Sequence, residues 1–416
     1  MSTSKVRPNL VLAICCMSLL VVSMDITIVN VALPAIRKDL TATTSGLQWV
    51  IDAYTLVVAS LLMLAGSLAD RFGRRRTFQT GLAVFTTASA LCSIAPNLEA
   101  LIAFRMLQAV GASMLNPVAM SIITNTFIEP KARARAIGVW GAVVGVSMAL
   151  GPLVGGGLTE LVGWRSIFWI NLPIGIAAIV LAQLFVPESK APHARAVDPV
   201  GQVLVLGALA AVTYGVIEGP RHGWSSPLII GLFVGAAIAI AGLLWYEPRR
   251  HEPMIDLRFF RSAPFSSATV IAVVMFSAFS GFLFLNALYL QEVRGYTPLQ
   301  AGLSFAVLGV GTVLGGVLAP RVIDRIGVRA AIMTGFGLQA AATVPLIFVG
   351  EAPGWLAVLL AATFVGGVAR STRLSISALP PTAVPARTSG SRVPLWPINQ
   401  PEIGEQIVVA SASGSV

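Results

Sequence analysis

The chain has 416 residues, of which 56% are hydrophobic and only 11% charged, with a formal net charge of +10. Soluble domains carry about 25% charged residues, so a soluble globular fold is excluded and an all-α polytopic membrane protein is predicted. The positive charge does not point to nucleic acid, because it is sorted by side. With the amino terminus inside, 18 of the 28 Lys and Arg fall in predicted cytoplasmic segments and five in external loops, as the positive-inside rule requires.

A helix crossing hydrocarbon needs about 20 apolar residues. Such segments are predicted at 9–33, 47–67, 77–95, 99–125, 134–160, 166–186, 200–217, 228–246, 265–290, 298–319 and 330–349, with a shorter one at 355–369, twelve in all. Lys5 and Arg7 ahead of the first span have the charge of a signal peptide. No small-residue cleavage site precedes Asp25 and further spans follow, so the first span is predicted to be retained. Its apolar run is interrupted by Asp25 and Asn30 in Met24-Asp25-Ile26-Thr27-Ile28-Val29-Asn30. An acid at membrane depth is costly and marks a functional site by default; the plainer reading is a packing residue satisfied by a neighbouring helix. Asp25 and Thr27 lie about 200° apart around the helix, so the polar residues do not form one stripe. Asp52, early in the second span, either joins the site or lies near the external surface, and Tyr54 is an interface or cavity residue.

Between the second and third spans, Gly66 to Arg76 gathers Asp70, Arg71, Gly73, Arg74, Arg75 and Arg76. Hydrocarbon does not hold that charge, so 70–76 is a short surface loop, cytoplasmic by its arginines. The pattern Gly-x-x-x-Asp-Arg-x-Gly-Arg-Arg resembles the loop joining helices two and three of the major facilitator superfamily. The resemblance implies glycines, Gly66 among them, that let helices approach, and an Asp70–arginine latch on one conformation. An ordinary basic loop is the plain alternative. Asp70-Arg71-Phe72-Gly73-Arg74 recurs as Asp324-Arg325-Ile326-Gly327-Val328-Arg329, so the chain reads as two repeated halves.

The fourth span carries Arg105-Met106-Leu107-Gln108-Ala109-Val110-Gly111, similar to the family's Arg-x-x-Gln-Gly-x-Gly with Ala109 in place of the first glycine. An intramembrane arginine costs about 2.5–3.5 kcal/mol on insertion scales, so it needs a partner or must snorkel to the external end. The resemblance gives Arg105 and Gln108 a part in proton transfer, and gives Asp25 a part in proton coupling or cation binding. In the fifth span, Gly145, Gly151, Pro152, Gly155 and Gly156 form a smooth, bendable face that resembles the exporters' G-x-x-x-G-P-x-x-G-G. Trp164-Arg165-Ser166-Ile167-Phe168-Trp169-Ile170-Asn171-Leu172-Pro173 suits the external aromatic belt and is similar to a string of the fourteen-helix drug:proton antiporters, the QacA/EmrB type. Two extra central spans, 200–217 and 228–246, fit that branch, of which about 12 of 14 spans are then present.

Four regions follow: a six-helix bundle at 1–190, two extra helices and an amphipathic cytoplasmic linker at 191–263, a partial second bundle at 264–370, and a polar tail at 371–416. The tail reads as disorder or as translation in a shifted frame, which makes a truncated remnant the alternative to an active transporter. Glu218 and His222 are placed in an external turn, and Asn286, Tyr289 and Gln291 in a cavity or in the core. Cys15, Cys16 and Cys92 read as small buried residues. No Walker, metal or hydrolase motif is present in the sequence, so no cofactor, no metal and no catalytic residue is expected. The predicted activity is proton-coupled efflux of small hydrophobic or cationic compounds by a monomer in the cell membrane. Its partners are substrate, protons and lipid, and a narrow exporter of a self-made antibiotic is the runner-up.

Overall fold

A computed structural model describes residues 7–191, 197–250, 253 and 257–344. The shorter span at 355–369 and the tail at 371–416 lie outside the described residues. Every described element is helical. The first half comprises α1 (Pro8–Leu40), α2 (Thr44–Phe72), α3 (Arg74–Ser93), α4 (Leu98–Thr126), α5 (Pro130–Leu161), a short α6 (Ser166–Trp169) and α7 (Asn171–Phe185). Then come α8 (Pro199–His222), α9 (Pro227–Tyr246), α10 (Ala263–Leu288) with a π-turn at Tyr289–Val293, and α11 (Pro298–Thr343). Among the described residues eight helices are long and apolar enough to cross a membrane.

Local chemistry sets the boundaries. The Thr43, Asn97, Asp198 and Ser226 side chains accept from backbone N–H groups of α2, α4, α8 and α9, and Thr297 with Gln300 forms a capping box on α11. α2 ends at Gly73, whose φ of 112° only glycine adopts without strain. α11 breaks at Gly327, φ 78°, so its two limbs are the tenth and eleventh predicted spans. The helices overrun the apolar predictions at their ends because polar residues there find partners. α1 continues past 33 to Leu40, where Arg37 pairs with Glu292 at 2.6 Å and Asp39 pairs with Arg165 at 2.5 Å.

The turn predicted around Glu218 is instead the last part of α8. Glu218 is buried there and accepts from Trp49 Nε1 at 3.0 Å, while Trp49 also packs on Tyr214. Glu218 therefore fastens α8 to α2 rather than facing water.

The chain alternates between a basic end, which carries Arg71–Arg76, Arg249 and Arg250, and an opposite end. α5 lies between α1 and α11. A Cβ added at Gly151 or Gly155 would overlap Thr27 or Ile28 of α1, and one at Gly156 would overlap Pro298 and Leu299. Gly302 and Gly309 of α11 in turn sit against Pro152 and Ala149. This is the close approach predicted for the glycine–proline helix, shared between two neighbours. Gly145 is half-buried. Gly66 departs from its prediction, since no atom lies within 4 Å of where its Cβ would be. The principal contacts between the halves lie away from the basic end: Arg37 with Glu292, Gln291 with the Val31 carbonyl, Glu160 with the Leu299 N–H, and an apolar cluster of Val31, Leu283, Ala287, Leu290 and Phe305.

Candidate functional site

Asp25 lies midway along α1 and is fully buried. Arg105, seven residues into α4, does not snorkel to the nearby helix end; it is 1% exposed and turned into the first bundle. Its Nη1 donates to Asp25 Oδ2 at 2.5 Å and to Gln108 Oε1 at 2.7 Å, and its Nε donates to the Val50 carbonyl at 3.2 Å. The Tyr54 ring covers the guanidinium at 4.2 Å to its centroid, a cation–π contact that strengthens when desolvated.

The second carboxylate oxygen is also provided for. Asp25 Oδ1 accepts from Gln108 Nε2 at 3.0 Å and from Asn171 Nδ2 at 3.2 Å. Both amides also donate to Ser89 Oγ, at 3.3 and 2.9 Å, and the Ser89 hydroxyl donates to the Phe168 carbonyl at 3.0 Å. Five helices thus close on one acid: α1, α2, α3, α4 and α7. Such a pair is retained only when geometry and further hydrogen bonds offset its desolvation, and here they do. Deleting one partner strands a buried charge at a cost of roughly 3–5 kcal/mol.

Of the predicted residues, Asp25, Arg105 and Gln108 meet. Asn30 does not join them, because its Nδ2 donates to the Ile26 carbonyl one turn back at 3.0 Å. Asp52 stays on α2, half-buried, without a hydrogen bond or ion pair to another described residue. Ser89 and Asn171 were not singled out from the sequence as site residues. Asn171 follows the break between α6 and α7, within a string that reads as interface aromatics.

At the basic end, Asp70 Oδ1 and Arg74 Nη2 are 3.2 Å apart. The predicted loop at 70–76 is instead two helix ends joined at Gly73, because α2 runs through Phe72 and α3 starts at Arg74. This turn is also held from outside. Glu188, just after α7, accepts from the Arg75 N–H at 3.1 Å and lies 3.9 Å from Arg75 Nε and 3.7 Å from Arg76 Nε. A carboxylate at the first turn of α3 answers the free N–H groups of that helix end. Backbone bonds from Arg74 to Ser189 and from Ala191 to Asp70 complete the latch. In the repeat, Asp324 and Arg325 are exposed, with no ion pair to another described residue. Among the described residues no group of three or more His, Cys, Asp or Glu gathers to hold a metal.

The sequence profile of the Major Facilitator Superfamily matches residues 15–393. The multidrug resistance protein Stp of Mycobacterium tuberculosis is 36% identical over 90% of this chain and 70% of its own length. The tetracenomycin C resistance and export protein of Streptomyces glaucescens is 37% identical over 80% of this chain and 62% of its own. Among solved structures, the human organic anion transporter MFSD10 superposes with a TM-score of 0.57 at 18% identity, covering 89% of this chain and 85% of that one.

Proposed function

We infer drug efflux from the premise that the chain belongs to the Major Facilitator Superfamily: it is a multi-pass membrane transporter of small molecules, not an enzyme. The substrates we propose are hydrophobic, often cationic compounds, exported from the cell across its plasma membrane by alternating access. The names of the Mycobacterium and Streptomyces relatives support export of drugs and antibiotics. The pair α8 and α9 between the halves supports assignment to the fourteen-helix branch.

The observation that carries the coupling is the buried Asp25–Arg105 pair with its ring of donors. A carboxyl that is charged against a guanidinium in one state and protonated in another exchanges a proton for a cationic or neutral substrate. One charge crossing is worth about 2.3 kcal/mol per 100 mV, and no bound cofactor is needed to supply it. Contacts between the halves concentrate away from the basic end, which supports a conformation open toward that end. With the amino terminus inside, as the arginine bias suggests, this is the cytoplasmic, substrate-loading side.

The test is ethidium transport driven by a pH gradient in everted vesicles, where efflux from the cell becomes uptake into the lumen. This uptake is expected to collapse on adding an uncoupler and in Asp25→Asn, and uptake indifferent to both removes the coupling. A narrow exporter of one self-made antibiotic is the second reading, favoured by the tetracenomycin relative. A dye panel run beside a single natural product separates the two.

A further inference from the structure

Asn171 does more in this network than hold the carboxylate. It is 1% exposed; its Nδ2 donates to Asp25 Oδ1 and Ser89 Oγ, while its Oδ1 is buried with no hydrogen-bond partner. Gln108 is different, with Oε1 accepting from Arg105 and Nε2 donating to Asp25 and Ser89. Both its ends are committed. A buried amide oxygen left unpaired costs about 1–3 kcal/mol. It persists because an ionised carboxylate only accepts and so takes the NH2 end of the amide.

The arrangement suits charged Asp25 alone. Around the acid stand Arg105 and Gln108 from α4, Tyr54 from α2, Ser89 and Cys92 from α3, and Asn171 from α7. From α5, α10 and α11 no described charged side chain pairs with α1 except Glu292, at its end with Arg37. A protonated Asp25 has an O–H that needs an acceptor. Two buried oxygens around it are uncommitted, Tyr54 Oη and Asn171 Oδ1, and of these only Asn171 belongs to a side chain already hydrogen-bonded to Asp25.

We propose that Asn171 is a positioning residue that senses the proton on Asp25, giving its NH2 to the carboxylate and, turned end for end, its carbonyl to the carboxylic acid. The proton stays bonded to Asp25 Oδ1 throughout; only hydrogen bonds are exchanged. One amide atom is unpaired in either orientation, so the carboxyl decides between them. The proposal deepens the proton-coupled reading and rests on it for its use in transport, but the switch itself is measurable without transport.

The experiment is an infrared difference titration of the purified full chain in liposomes, following the carboxylic acid band that Asp25→Asn removes. In Asn171→Leu the carboxylate loses one donor but keeps Arg105 and Gln108, whereas the acid loses the acceptor turned toward its O–H, so the larger loss falls on the acid. The band is expected about one pH unit lower. Ser89→Ala removes a contact made only in the present orientation and is expected to move the band up by about half a unit. A move to higher pH in Asn171→Leu would mean that Asn171 only donates, and it overturns the proposal, as does no move. Should Asn171→Leu not fold, Ser89→Ala decides: a band lowered or unmoved overturns it too. An Asp25 that never protonates while the protein stays folded does the same. If the bands move as expected but dye efflux ignores pH, the switch stands and the proton-coupled reading falls.

Discussion

The two Asp-Arg-x-Gly loops share a backbone and differ in everything attached to it. Both turn on a glycine with positive φ, 112° at Gly73 and 78° at Gly327. At the first, Glu188 lies against the position a Gly73 Cβ would occupy and holds Arg75 and Arg76, while Asp70 holds Arg74. At the second, Asp324 and Arg325 face outward without an ion pair to another described residue. A repeat therefore hands down a turn more faithfully than a charge network. The network needs a partner from another part of the chain, and here the segment after α7 supplies it. The same imbalance holds at depth among the described residues, where the ion pair with both partners buried belongs to the first half.

That imbalance is broken or sharpened by substitution. The largest effect is expected at depth. Asp25→Asn should abolish uncoupler-sensitive efflux with membrane abundance near normal, whereas Arg105→Ala should also destabilise the protein by roughly 3–5 kcal/mol, read as a fall in thermal stability in detergent. Adding Asp25→Asn to Arg105→Ala should recover much of that stability, because the stranded charge is gone; no recovery would mean that Arg105 matters chiefly as packing.

At the basic end, Asp70→Asn or Glu188→Gln should shift the inward–outward equilibrium, read by the accessibility of an engineered cysteine. A coupling of about 1–3 kcal/mol corresponds to roughly 5–150-fold. Smaller still is Arg37→Ala at the opposite end. Its pair with Glu292 is partly exposed, and such pairs contribute about 0–1 kcal/mol, so the shift should stay within about fivefold and shrink in high salt. The smallest is Asp324→Asn, expected near wild type. An effect equal to that of Asp70→Asn would mean a symmetric latch and would undo the comparison.

Much of this was legible because hydrocarbon makes polarity conspicuous. Asp25 and Arg105 stand out within apolar runs, and the price of burying either alone demands a partner. The glycines of α5 announced a close contact, and they make two, with α1 and with α11. What was not legible depends on where a side chain points. Asn30 is as polar as Asn171, but satisfies itself one turn back on α1. Asn171 reaches the acid from the first residue of α7, inside a string whose aromatic residues read as an interface belt. Glu188 carries no periodicity to betray it, being one carboxylate after a helix end. Glu218 sits beside Gly219 and Pro220, residues that signal a turn, yet the helix runs through them to His222. Gly66 fits the motif but meets nothing at this end of the molecule.

One helix has a consequence for mechanics. α7 begins at Asn171, in contact with Asp25, and ends at Phe185, three residues before Glu188. Its 15 residues span about 22 Å at 1.5 Å each, and a hydrogen-bonded helix of that length transmits displacement as a rigid element. The acid in the middle of the membrane and the arginines at its surface are therefore attached to opposite ends of one short strut. Any sliding of that strut along its own axis disturbs both attachments together.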